Sequence, residues 1–68
     1  MELQLGDTVM RESGRAPRIT LDPHEVVVVR CNKVVLRSKK HPGGKAVTVK
    51  IANIGVGRDA GTTYYVET

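Results

Sequence analysis

Four side chains able to hold an anion fall within nine residues. The segment "RSKKHPGGK", residues 37 to 45, sets Arg37, Lys39, Lys40 and Lys45 around a Pro-Gly-Gly turn, and His41 adds charge when protonated. Lysine offers a compact point charge and arginine a planar fork, and both suit phosphate oxygens. Gly43 and Gly44 carry no side chain that would keep a partner away from the backbone. Lysine-rich hairpin tips also have a simpler use, because charge on an edge discourages pairing with other chains. The surrounding sequence tips the balance toward anion binding. Between Glu25 and Asp59 lie eight basic residues (Arg30, Lys33, Arg37, Lys39, Lys40, Lys45, Lys50 and Arg58) and no acid. A surface built only for solubility mixes both signs. Arg30, Lys33 and Lys50 therefore join the four loop residues as the candidate nucleic-acid-binding set, expected to contact phosphates. Base stacking needs aromatics on a sheet, and only Tyr64 and Tyr65 are present, one facing in and one out if they share a strand.

Other chemistries find less support. "GVGRDAG" from Gly55 contains Gly-x-Gly-x-x-Ala, a variant of the dinucleotide fingerprint, but only "TTYYVET" follows, too little for the helix and strand that the fingerprint requires. A mobile loop is expected there instead. "HPGGKAVT" lacks the upstream glycine and the adjacent Ser or Thr of a phosphate-binding P-loop. Cys31, His24 and His41 show none of the closely spaced pairs that zinc sites use, so a structural cysteine and two surface histidines are expected, with no metal and no other cofactor. Ser13, Ser38 and Cys31 have no base and orienting acid near them in sequence, and no enzymatic activity is expected.

These groups must be positioned by a single small domain of 68 residues carrying a net charge of +4. A domain of that size buries only about 60% of its unfolded surface. With one cysteine, no Phe and no Trp, the core relies on small branched side chains and has no internal disulfide. That raises the expectation of a homo-oligomer. A lone cysteine, a start "MELQLGDTV" without a basic or apolar leader, and no apolar run of membrane-spanning length point to a cytoplasmic protein without a membrane partner.

The hydrophobic period is two almost throughout. Val47, Val49 and Ile51 alternate with Thr48 and Lys50, as on a half-buried strand. "VVVV", Val26 to Val29, reads as a strand covered on both faces, and "VVLRS" from Val34 as its hairpin partner across a turn at Asn32 and Lys33, with Val29 near Leu36 and Asn32 accepting positive φ. Upstream, Leu3, Leu5, Val9, Ile19 and Leu21 are inward candidates on two short strands separated by the turn-rich "ESGRAP". "DPHE", residues 22 to 25, reads as a further turn, "GVGRDAGTT" as a loop, and "TYYVE" as a last strand. The expected fold is all-β, a small five- or six-stranded antiparallel barrel of SH3-like kind or a compact sandwich. The expected function is a non-enzymatic nucleic-acid-binding module. The alternatives are a structural protein assembling with copies of itself, viral or ring-like, and a small adaptor or inhibitor docking an acidic protein.

Overall fold

The computed structural model describes residues 2–67. Six strands follow one another along the chain: β1 (Thr8–Arg15), β2 (Arg18–Val29), β3 (Lys33–Ser38), β4 (Val47–Lys50), β5 (Ile54–Val56) and β6 (Tyr64–Val66). Single 3-10 turns precede β5 (Ile51–Asn53) and β6 (Arg58–Ala60). The strands form one sheet in the order β4-β3-β2-β1-β6-β5, curled into a half-barrel. The all-β expectation holds. Every pairing is antiparallel except β5 with β6, which run parallel.

The core lines the inner face of the curl. Leu3, Val9, Val26, Val34, Leu36, Val49 and Ile54 are buried, and Val47, Ile51, Tyr64 and Val66 pack against them. Alternation along each strand explains the choice: Val26, Leu36 and Val47 stand side by side across β2, β3 and β4, as do Val34 and Val49. Leu5 and Ile19, both inward candidates by sequence, are exposed.

Of two expected turns one contracts and one is absent, because the strands continue through them. β1 and β2 pair without interruption from Thr8↔Glu25 to Arg15↔Arg18, so the presumed "ESGRAP" loop shrinks to the two-residue turn Ala16-Pro17, with a cis peptide bond. "DPHE" is not a turn either, since Pro23 lies inside β2 opposite Met10. The Pro23 carbonyl accepts from the Lys39 N–H (2.9 Å), on the β3 side of the strand. The N–H that proline lacks would point the same way, at the place where β3 ends, so no ladder bond within β3 is lost.

Contrary to expectation, "VVVV" is not covered on both faces throughout but loses cover along its length. Val26 is buried, Val27 and Val28 are half-buried and Val29 is exposed, with a register shift between Val26 and Val28. Val29 pairs with Val34 and Val26 with Leu36, and among the described residues none other than glycine has positive φ. The hairpin therefore turns through residues 30–32, closed by the Arg30 N–H donating to the Lys33 carbonyl (2.8 Å).

"GVGRDAGTT" is partly ordered structure. Gly55 and Val56 belong to β5, and the chain returns through the 3-10 turn to the parallel strand β6. That return is short for a parallel connection, and Gly55 makes it possible. Its N–H donates to Thr62 Oγ1 (3.2 Å), and a Cβ there would collide with the side chains of Ala60 and Thr62.

Candidate nucleic-acid interface

All seven candidate cations, Arg30, Lys33, Arg37, Lys39, Lys40, Lys45 and Lys50, are exposed. They divide into two groups. Lys33 and Lys50 are direct partners across β3 and β4, on the outer face away from the core. Arg37, four residues along β3, points to that same face. Lys45 lies in the loop between β3 and β4, and Arg30 in the β2–β3 turn. None of these five side chains makes a hydrogen bond or ion pair among the described residues. Like charges directly opposite on a sheet oppose folding, so the Lys33–Lys50 pair is held together by the valine pairing beneath it.

Lys39 and Lys40 serve the fold as well. Lys39 Nζ donates to Thr8 Oγ1 (2.6 Å), and Lys40 Nζ donates to the Leu21 carbonyl (3.1 Å). Leu21 O points toward the edge that β3 leaves open, and the Lys40 ammonium satisfies it. The basic loop is thereby folded back onto β1 and β2.

The charge segregation of the sequence is softened in space. Glu25 is the cross-strand partner of Arg37, and Asp22 approaches the loop by accepting a hydrogen bond from Ser38 Oγ (3.0 Å). The acid-free corner is therefore the Lys33–Lys50 end of the outer face. Three further arginines, with Glu12 and Asp22 near them in the chain, do not stand out in the sequence. Arg11, Arg15 and Arg18 share one face of the β1–β2 hairpin, Arg15 directly opposite Arg18. The available signal was the spacing Arg-x-x-Arg about a two-residue turn.

His24 is a correction: it is buried at 5% exposure, not on the surface. Its Nδ1–H donates to the Asp22 carbonyl (2.9 Å), and its ring meets Tyr64 edge to face at 6.1 Å between centroids. His24, Asp22 and Ser38 thus gather across β2 and β3, but they are not wired as a nucleophilic triad. The serine donates to the carboxylate, and the imidazole donates to a backbone carbonyl. Cys31 and His41 are exposed, and among the described residues no three metal-ligating side chains come together. Tyr65 is buried and Tyr64 half-buried, on opposite faces of β6, so neither offers an open stacking platform.

No family model, curated protein or solved structure matches the chain. Among the described residues no helix is long and apolar enough to cross a membrane.

Proposed function

We propose that this domain is a non-enzymatic nucleic-acid-binding module that grips phosphates through the outer face of β3 and β4 and the adjoining loop. The observation that carries the reading is the direct opposition of Lys33 and Lys50, with Arg37 on the same face and no ion pair to any of the three among the described residues. Two opposed ammonium groups cost stability in the free protein, and a phosphate between them turns that repulsion into shared attraction. Arg30 and Lys45 extend the contact, and Lys39 and Lys40 contribute while tethering the loop.

The test is a titration against single- and double-stranded DNA and RNA at two salt concentrations. Affinity should fall with salt, the log of the binding constant losing about 0.9 per contacted phosphate for each tenfold rise on duplex DNA. Neutral glutamines serve better than glutamates at Lys39 and Lys40, because an acid there would also release the loop. Undiminished binding by a folded Lys33→Gln/Lys50→Gln variant sinks the proposal.

A second reading rests on a different observation, the open seam of the half-barrel. The Ile51 N–H donates to the Asn32 carbonyl (2.9 Å), so by antiparallel alternation Val47 and Val49 bond to β3, while Thr48 and Lys50 turn their backbone groups to the free edge. That edge borders a groove of about 700 Å³ whose far side is Thr62, Thr63 and Tyr64. A strand from another chain, including a second copy, would complete the ladder, as an assembly protein requires. Mass in solution separates this reading from a monomeric binder.

A further inference from the structure

The β1–β2 hairpin outruns the sheet that supports it. Pairing of β2 with β3 ends at His24↔Ser38, and β6 supports β1 at Met10 and Arg11, with one more bond from the Glu12 N–H to the Thr63 carbonyl (2.8 Å). Residues 13–20 pair only with one another, and all but Ser13 are exposed. An isolated two-stranded ribbon is marginal in water, yet this one is closely specified. Gly14 sits at φ 88°, where a Cβ would collide with the Arg18 carbonyl. At the root Arg58 Nε donates to Glu12 Oε1 (2.9 Å), and the guanidinium holds its proton more tightly than usual because of that hydrogen bond and the carboxylate charge. On the other strand of the root, Lys40 holds the Leu21 carbonyl.

The arm carries its charge at the tip. Arg15 and Arg18 close the turn as direct partners, with Arg11 on the same face nearer the root. Of the acids nearest the arm, Glu12 pairs with Arg58, and Asp22, which accepts from Ser38, stands directly opposite Arg11, so the unbalanced charge is that of Arg15 and Arg18. Nothing in the fold accounts for two opposed arginines on a ribbon without a core.

We propose that this arm enters the major groove of duplex DNA tip first, with Arg15 and Arg18 splayed toward the groove walls and floor. The inference rests on the nucleic-acid-binding reading above and adds a structural class of substrate to it. The dimensions agree. Four residues on each strand extend roughly 13 Å at about 3.3 Å per residue, and the strands lie about 4.8 Å apart. The B-form major groove is about 8.5 Å deep and about 12 Å wide and admits a two-stranded ribbon, whereas the minor groove is about 6 Å wide. The major groove of an RNA duplex is too narrow for such an arm. Lys40 bonds to the arm's root, so the phosphate-binding loop lies where the backbones beside the groove would pass.

The test compares wild type with Arg15→Ala/Arg18→Ala for affinity toward duplex DNA, the same sequence single-stranded, and duplex RNA. Protection of guanine N7 from methylation reports occupancy of the major groove. The expected result is at least a tenfold loss on duplex DNA with single-strand affinity unchanged, and loss of N7 protection. Equal losses on single and double strands, or no loss, overturn the arm's role while leaving the outer-face reading intact. Absence of nucleic-acid binding by wild type overturns both. Circular dichroism of the variant establishes that the body remains folded.

Discussion

Lys33 on β3 and Lys50 on β4 face each other directly, next to the buried Val34–Val49 pair. That relationship makes stability and binding respond in opposite directions. Lys50→Glu creates an opposite-charge cross-strand pair and should raise stability by roughly 0.2–1 kcal/mol. It should also weaken nucleic-acid binding and flatten its salt dependence by at least one contact's share, about 0.9 in slope. Urea denaturation and a salt titration of the same variant measure both. A variant that gained stability and kept full affinity would show that the pair takes no part in binding.

Gly14→Ala should loosen the arm without unfolding the body. The strained φ and the collision with Arg18 together are expected to cost about 1–3 kcal/mol, felt locally because residues 13–20 have no other partners. Faster amide exchange at Arg15 and Arg18, with exchange unchanged at Val34 and Leu36, is the expected pattern. Uniformly faster exchange would mean that the arm and body unfold together.

At Gly55 the same substitution should act on the whole domain. A Cβ there forces apart the side chains of Ala60 and Thr62 and so displaces the return that sets β6 between β1 and β5. A loss of about 1–3 kcal/mol is expected from overpacking, visible as a lower urea midpoint. An unchanged midpoint would mean that the return relaxes freely.

Leu36→Ala removes a fully buried side chain from the middle of the core and should cost about 2–5 kcal/mol. For a domain whose total stability is expected near the lower end of 5–15 kcal/mol, much of the population would unfold at elevated temperature, read directly from the thermal midpoint. A shift of only a degree or two would place the stability of the fold elsewhere.

The strands that carry a clear period of two were legible in the residues. Val47 and Val49, Val34 and Leu36, and the closing Tyr-Tyr-Val declared themselves, because alternation marks a sheet with one buried face. Pro23 was misleading. A proline normally ends a strand, and only the place where β3 stops makes this one harmless. His24 was misleading for a related reason, since nothing in "DPHE" shows that Tyr64, forty residues later in the chain, lies against its ring. The candidate interface was legible in part. The basic residues were identifiable by type, but the acids that moderate them come from β2, and a one-dimensional charge count cannot see that Glu25 stands beside Arg37. Conversely, Arg15 and Arg18 have acids near them in the chain, and only the hairpin sets the two arginines face to face.

The position of β6 has a consequence for how the chain reaches this structure. It is made after every other strand described, yet it occupies an interior place between β1 and β5. The β1 to β4 meander needs only neighbouring hairpins and can form from local contacts, whereas β1 must wait for a partner more than fifty residues downstream. During that interval one side of β1 presents unpaired backbone to its surroundings. A newly made chain is then most exposed to mispairing with its neighbours, and the arrival of Tyr64–Val66 closes that window.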